Sequence, residues 1–296
     1  MNIGIVGAGA IGMLFGAYLS EAKHDVTFLI RNREMTDQLY IEKGDTSQQP
    51  IHCNLVYSIE KLYDMDLVII AVKYHHLHQL KKELDLIPPK TPLLFLQNGL
   101  LHLPYVENLK QHTIILGSVL HGATKVNSTT VQHLGVGITS IGLYKGNWSR
   151  MKEFLCTEKE DFPLQFTTNI ERILFKKAML NCLINPLTTI TKVQNGELIK
   201  NDTYKKILKS VYDELIEAFE EWKEHLSWEE VVTLCKNTEY NRSSMLKDYE
   251  NGRVMELDTI VGAIIEEATK RNKALPILNT FYLLLIEANK VGERDR

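Results

Sequence analysis

The sequence has few cysteines, no long hydrophobic run and no large excess of charge of either sign. Its 296 residues include four cysteines, with no C-x-x-C pair, so we expect buried free thiols in a reducing cytosol. A net charge of −3 gives no indication of a nucleic-acid partner or an anionic membrane. With 44% hydrophobic and 24% charged residues, the composition excludes a disordered, collagen-like or coiled-coil chain.

No apolar run approaches the roughly 18 residues that cross a bilayer. The N-terminus lacks the basic region of a signal peptide, and glycines interrupt its apolar start. We therefore expect a soluble cytoplasmic protein. At roughly 150 residues per domain, the length predicts about two domains.

The first half of the chain alternates between strand and helix patterns. Apolar runs predict strands at residues 2–6, 26–30, 67–72, 93–96 and 113–119. The run at 67–72 is apolar throughout, which is typical of a strand covered on both faces. Helix-length segments between the strands predict a parallel sheet with crossover helices. Residues 129–134 and 137–144 are interpreted as a β-hairpin or as edge strands.

From about residue 169 the pattern is helical. Helices are predicted at 170–185, 201–226, 256–272 and 277–290, with a further start at the capping box of Ser227 and Glu230. We expect Asn185-Pro186 to end the first of these helices. The sequence thus predicts two domains. Residues 1–167 are expected to form an α/β domain built on a doubly wound parallel sheet, and residues 168–296 are expected to form an all-helical domain.

A glycine-rich turn directly follows the first strand and opens a helix. Its G-x-G-x-x-G pattern consists of Gly7, Ala8, Gly9, Ala10, Ile11 and Gly12. Such a Rossmann-type turn brings the backbone close to a pyrophosphate, and the helix N-terminus offers it free N–H groups. The alternative is a glycine turn that binds no ligand.

The residue that ends the second strand bears on the choice of cofactor. An NAD site usually has an acidic residue there, whereas this chain has Arg31, with Arg33 close by. Because a guanidinium binds a 2′-phosphate and an acid would repel it, we predict NADP(H) over NAD(H). Otherwise both arginines are solvated charges in a loop. Lys73 and Asn98 follow later strands, where they either face the cofactor or lie in solvent-facing loops.

The segment 170–185 has a polar stripe on an otherwise apolar helix. Lys177, Asn181 and Asn185 are spaced at i, i+4 and i+8, so they share one face. Burying them without partners would be costly. Either a substrate pocket or a structural polar network satisfies them. Glu256 is the expected counter-charge for Lys177.

These residues and several motifs are similar to those of the 2-dehydropantoate 2-reductase, or ketopantoate reductase, family. The resemblance covers essentially the whole chain. It depends on GAGAIG, Lys73, QNG at 97–99, His121-Gly-Ala123, KKAMLNCLINPLT at 176–188, NGEL at 195–198, NRSSMLKD at 241–248, and ME-LD at 255–258. The family fold is a Rossmann domain followed by a helical domain.

The resemblance also implies roles for individual residues. Lys177 would be the catalytic general acid. The substrate would be bound by Asn98, Asn181, Asn185 and Ser244, with Asn241 a further candidate for that pocket. Asn98 and Ala123 would lie near the nicotinamide, and Arg31 and Lys73 would bind the phosphate end of NADP. Glu256 would contact the substrate or the cofactor. The chain departs from the family at Phe175, where many members have Trp, and at Leu101-His102, where members often have another glycine.

The resemblance implies reduction of 2-dehydropantoate to pantoate by NADPH, a step in pantothenate biosynthesis. The alternatives are a related NADP-dependent reductase of another 2-oxo acid and a non-catalytic NADP(H)-sensing protein. We expect no metal, and we interpret His75, His76 and His78 as a solvated helix start. A homodimer is left open by the long amphipathic helices.

Overall fold

A computed structural model describes residues 1–30, 38–44 and 48–294. They form two compact units. The first contains Met1–Gln97 and Pro104–Ile173, and the second contains Asn98–Leu103 and Leu174–Arg296. The domain boundary between residues 167 and 168 stays a prediction. No sequence pattern had indicated that the short segment Asn98–Leu103 belongs with the C-terminal helices.

Among the described residues, all twelve strands lie in the first unit. The strands are β1 (Asn2–Val6), β2 (Asp25–Leu29), β3 (Leu39–Lys43), β4 (Gln49–Ile51), β5 (Asn54–Val56), β6 (Leu67–Ile70), β7 (Leu93–Phe95), β8 (Ile114–Val119), β9 (Gly122–Lys125), β10 (Thr130–Gly135), β11 (Thr139–Lys145) and β12 (Leu164–Phe166).

The helices are α1 (Ala10–Glu21), α2 (Tyr74–Leu84), α3 (Leu103–Glu107), α4 (Met151–Leu155), α5 (Ile170–Thr191), α6 (Glu197–Lys200), α7 (Asp202–Ala218), α8 (Trp228–Asn237), α9 (Ser244–Glu250), α10 (Ala263–Lys270) and α11 (Pro276–Arg294). Short 3₁₀ turns lie at Ile59–Leu62 and Glu220–Trp222, and a π-helical turn at Asp258–Gly262 precedes α10.

The main sheet of the first unit has the strand order β12-β11-β8-β7-β6-β1-β2-β5. Strands β5, β2, β1, β6, β7 and β8 run parallel, and β11 is antiparallel to β8. The register places Ile3 beside Val26 and Leu67. All four residues of β6 are buried, as the continuous apolar run requires. The predicted doubly wound parallel sheet is confirmed.

Strands β10 and β11 do not form the predicted hairpin, and neither is an edge strand. β10 lies between β3 and β9 in a second sheet of order β4-β3-β10-β9, whereas β11 lies between β8 and β12. Both interpretations of this segment were wrong, because alternating hydrophobicity shows which face a strand buries but not which strand it pairs with.

Aromatic side chains fill the core between the main sheet and the second sheet. Phe15 and Tyr18 of α1 meet Phe162, with ring centroids 5.1 and 4.4 Å apart. Phe28 of β2 is also fully buried, and its ring occupies the space beside Gly16 that a Cβ would fill. This packing holds α1, and hence the glycine turn at its start, against the sheet.

In its described residues, the second unit consists of helices and their connections. Side-chain caps begin three of them: Asn201 accepts from Thr203 N, Ser227 from Glu230 N and Ser243 from Leu246 N. The predicted helix start at Ser227 is therefore confirmed. Predicted helix 201–226 divides into α7 and a 3₁₀ turn, and predicted helix 256–272 begins with the π turn.

The prediction that Asn185-Pro186 ends a helix was wrong. Helix α5 continues through Pro186 to Thr191. A proline inside a helix costs about 3 kcal/mol, but the segment beyond it is almost wholly buried, with Leu187 at 2% exposure. The hydroxyl of Thr189 also donates to the Asn185 carbonyl at 2.7 Å. Tertiary packing thus outweighs the local preference.

The cysteines were expected to be buried free thiols. All four cysteines are free; Cys182 and Cys235 are buried, Cys53 is half-buried and Cys156 is exposed, which corrects the expectation for Cys156. Among the described residues, no helix combines the length and apolar character needed to span a bilayer.

Candidate functional site

Two glycines of the turn in the first unit are required by the backbone conformation and by close contacts within the chain. Gly7 has φ +109°, which strains any other residue, and a Cβ there would lie 2.8 Å from the Val72 side chain. A Cβ on Gly12 would lie 1.9 Å from the Gly7 carbonyl oxygen. These two glycines therefore allow the tight passage from β1 into α1.

Gly9 is different, because nothing in the chain fills the space beside it. A Cβ built on Gly9 meets no atom within 4 Å. Gly9 is also the N-cap residue of α1 and has no side chain to satisfy the first N–H groups of that helix. Ala8, Ala10 and Ile11, which flank it, are only partly buried. The open face beside free helix N–H groups fits a pyrophosphate.

An apolar pocket of about 230 Å³ adjoins this turn. Gly7 and Ala8 line one side, and Leu29 and Ile30 at the end of β2 line another. Val72, which follows β6, also lines the pocket. Apolar walls beside a few polar groups are typical of small-molecule and cofactor pockets.

The other predicted cofactor residues lie at different places in the first unit. Lys73 is the N-cap residue of α2, at the carboxyl end of β6, as predicted. Ala123 lies in β9, opposite His133 of β10, and packs partly buried against the core. Arg31 lies outside the described residues, as does Arg33.

In the second unit, three predicted residues form a hydrogen-bonded chain. Lys177 Nζ donates to Asn98 Oδ1 at 2.8 Å. Asn98 Nδ2 donates in turn to Glu256 Oε2 at 3.1 Å. The amide of Asn98 thus joins an ammonium and a carboxylate that are 79 residues apart in sequence.

Burial lowers the pKa of Lys177 to about 8, and the negative charge of Glu256 acts in the opposite direction. Glu256 is therefore a counter-charge for Lys177, as the sequence predicted. At neutral pH the ammonium is mostly protonated, yet it gives up a proton more readily than a solvated lysine. Such a group combines a positive charge with general-acid capacity.

The predicted polar stripe continues along α5. Asn181 is half-buried and Asn185 is 5% exposed. Within the described part of the chain, Asn185 Nδ2 has no hydrogen-bond partner. A buried amide donor without a partner costs about 1–3 kcal/mol, so it is available to a ligand.

Asn241 and Ser244 are more peripheral. Both residues are exposed, and no hydrogen bond among the described residues connects their side chains to Lys177, Asn98 or Glu256. The neighbouring Ser243 is the buried one: it caps α9 and its hydroxyl lies 2.8 Å from that of Thr188. The substrate roles of Asn241 and Ser244 stay predictions.

Thr259, which sequence reasoning missed, holds the backbone around Asn98. Its hydroxyl donates to the Asn98 carbonyl at 3.1 Å, and its carbonyl accepts from Leu100 N–H at 2.9 Å. Gly99 has φ +73°, and a Cβ there would lie 2.0 Å from the Thr259 carbonyl oxygen. The glycine after Asn98 was the available signal, but it could not identify its partner.

The structure shows the contacts of the residues that depart from the family and of the predicted histidine cluster. Phe175 stacks on Trp222, with centroids 5.1 Å apart. His102 is fully buried. His78 is exposed and lies 3.0 Å from the Tyr74 hydroxyl within α2. The described residues contain no group of three side chains that could hold a metal ion.

The chain is similar to known proteins over most of its length. Residues 3–146 match the family model "Ketopantoate reductase PanE/ApbA", and residues 169–289 match that of its C-terminal part. The 2-dehydropantoate 2-reductase of Listeria innocua is 35% identical over 96% of each chain.

Two solved structures have the same fold. The probable 2-dehydropantoate 2-reductase of Bacillus subtilis has a TM-score of 0.84 and 31% identity, covering 97% of this chain and 100% of that one. A D-mandelate dehydrogenase solved with NADH and anilino(oxo)acetate has a TM-score of 0.86 and 24% identity, covering 99% of this chain and 100% of that one. The family matches extend over both units, and this chain therefore belongs to the ketopantoate reductase family of oxidoreductases.

Proposed function

We propose that this protein reduces the C2 ketone of 2-dehydropantoate to the alcohol of pantoate with NADPH. The observation that carries the proposal is the hydrogen-bonded chain of Lys177, Asn98 and Glu256 in a member of this family. A ketone reduction needs a hydride on carbon and a proton on oxygen. The bound dihydronicotinamide supplies the hydride, and Lys177 supplies the proton.

Lys177 has two tasks in this reaction. Negative charge develops on the carbonyl oxygen as the hydride arrives, and the ammonium stabilises it. The ammonium then transfers its proton to that oxygen, for which a pKa of about 8 is suitable near neutral pH. Glu256 opposes the effect of burial and so keeps Lys177 protonated before the transfer.

The amide groups orient the substrate. Asn98 holds Lys177 Nζ through its Oδ1, which directs the ammonium. Asn181 and Asn185 follow Lys177 on the same face of α5 and offer donors to the carboxylate and hydroxyl of a 2-oxo acid. Asn185 Nδ2 supports this role, because it is a buried donor without a partner among the described residues. Ser244 and Asn241 are further proposed contacts.

The glycine turn holds the cofactor. Gly9 and the N-terminus of α1 receive the pyrophosphate, and the apolar pocket beside Gly7 receives the adenine ring. We assign NADP(H) on the sequence position of Arg31, with Lys73 assisting at the phosphate end and Ala123 near the nicotinamide. Arg31→Asp should weaken NADPH binding much more than NADH binding; an unchanged preference would refute the 2′-phosphate role.

The direct test is oxidation of NADPH, followed at 340 nm, with 2-dehydropantoate and with other 2-oxo acids, including phenylglyoxylate. We expect the highest kcat/KM with 2-dehydropantoate and NADPH. Faster turnover of another 2-oxo acid would support the alternative reductase. NADPH binding without oxidation by any 2-oxo acid would support the cofactor-sensing alternative. The cytoplasmic location and the homodimer stay predictions.

A further inference from the structure

Lys125 reaches across the first unit to the glycine turn. It is the last residue of β9, and its neighbour across the strand pair is Val131 of β10. Its Nζ donates to the Ala8 carbonyl oxygen at 2.9 Å. Ala8 lies between the first two glycines of the turn, next to the open face of Gly9.

The charge of Lys125 has no counter-ion within the part of the chain that the structure describes. No carboxylate there lies within ion-pair distance of its Nζ. The Lys125 side chain is exposed, so its Nζ is accessible to a ligand that approaches the turn from solvent. An ammonium without an ion pair interacts favourably with an anion that binds beside it.

The contact with Ala8 also prepares the turn for an anion. A carbonyl oxygen at this place carries partial negative charge and would repel a phosphate. The ammonium offsets that charge and, having three N–H donors, retains two after the bond to Ala8. A Cβ built on Gly9 meets no atom within 4 Å, so the space beside this glycine has room for a phosphate.

We infer that Lys125 binds the pyrophosphate of the nicotinamide dinucleotide and so is a cofactor-binding residue outside the glycine motif. The inference depends on the proposed function for the presence of a dinucleotide at this turn. It adds a cation from the second sheet to the N–H groups of α1. The contact is with the pyrophosphate, which NADPH and NADH share, and not with the 2′-phosphate.

The test compares Lys125→Met with Lys145→Met as a matched control. Lys145 is likewise a strand lysine of the first unit whose Nζ donates to a backbone carbonyl, that of Leu109, at 3.0 Å. Dissociation constants for NADPH and NADH are measured by titration of the full-length protein. Lys125→Met should weaken the binding of both cofactors by roughly tenfold or more, which corresponds to the loss of a charge-assisted hydrogen bond. Lys145→Met should leave both dissociation constants unchanged.

Variants that differ in charge at position 125 distinguish a cofactor-binding role of Lys125 from a purely structural one. Lys125→Gln retains a donor for Ala8 without the charge and should bind as weakly as Lys125→Met, whereas Lys125→Arg should restore most of the affinity. Added salt should weaken binding by the wild type more than by Lys125→Gln, because salt screens the lost interaction. If Lys125→Met does not fold, the glutamine and arginine variants decide.

Wild-type affinity for either cofactor in Lys125→Met and Lys125→Gln would overturn the inference. So would a loss confined to NADPH, which would indicate the 2′-phosphate instead. The proposed function is tested separately by wild-type turnover, so a wild type that binds neither NADPH nor NADH would refute the function itself.

Discussion

Asn98 accepts a hydrogen bond from Lys177, with 2.8 Å between Asn98 Oδ1 and Lys177 Nζ. This amide comes from the short segment Asn98–Leu103, which belongs to the helical unit although it follows β7 in sequence. Asn98 also donates to Glu256. The geometry therefore connects the proposed acid to its counter-charge through a neutral side chain.

Replacing the proposed acid should abolish most of the turnover. Lys177→Met removes the ammonium and should lower kcat at least about 100-fold, since general-acid catalysis contributes roughly 10²–10⁴-fold. Steady-state kinetics and NADPH titration measure turnover and cofactor affinity, and the affinity should persist. The adjacent Lys176 is the control, because it pairs with Glu230 at 2.7 Å; Lys176→Met should retain activity. Normal turnover by Lys177→Met would refute the assignment.

The pH dependence of kcat/KM should report the pKa of Lys177. The protonated form is the active one, so activity should be retained below about pH 8 and fall as the pH rises through the pKa of about 8. Glu256 raises this pKa. In Glu256→Gln the decline should therefore begin at lower pH. A profile that stays at the same pH in this variant would show that Glu256 does not act on the titrating group.

The segment that carries Asn98 should tolerate no side chain at Gly99. Gly99→Ala places a Cβ 2.0 Å from the Thr259 carbonyl in a backbone of φ +73°. The matched control is Gly252→Ala, with φ +60° and nothing within 4 Å of the new Cβ. The control should lose only the left-handed penalty of about 1–2 kcal/mol.

Gly99→Ala should lose a further 1–3 kcal/mol or so in the free energy of unfolding, because the Thr259 backbone must move. Urea denaturation measures both variants. Gly99→Ala should also lower kcat, whereas Gly252→Ala should not. Equal stability of the two variants would mean that the contact with Thr259 is not tight in solution.

His102 should make the protein sensitive to acid. It is fully buried, and neither ring nitrogen has a hydrogen-bond partner among the described residues. Burial lowers its pKa to about 4, from an ordinary value near 6.5. Between these values the unfolded chain binds a proton that the folded chain does not, so the stability is highest above pH 6.5 and falls as the pH drops towards 4.

His102→Leu removes both the unmet polar atoms and this titration. The variant should gain about 1–3 kcal/mol at neutral pH, and its advantage over the wild type should increase at pH 5. Urea denaturation at the two pH values measures the difference, with His112→Leu at an exposed position as the control. A His102→Leu variant with the wild-type pH dependence would contradict the role of His102.

Short-range sequence patterns account for the features of the fold and the site that depend on neighbouring residues. The glycine turn, the five predicted strands of the parallel sheet and the cap at Ser227 follow from periodicity, glycine placement and capping chemistry, all of which act over a few residues. The short parallel strand β5 was not predicted. The face shared by Lys177, Asn181 and Asn185 follows from helical spacing in the same way. The pairing of Glu256 with Lys177 could be proposed because a buried charge needs a partner.

The features that join distant segments of the chain depend on the three-dimensional fold. That fold placed β10 and β11 in different sheets, continued α5 past Pro186 and brought Asn98 between Lys177 and Glu256. Thr259 and Lys125 gained their contacts in the same manner. In each case the free energy of packing and hydrogen bonding between remote residues overrides or supplements local preference, and no local pattern records which remote residue will be the partner.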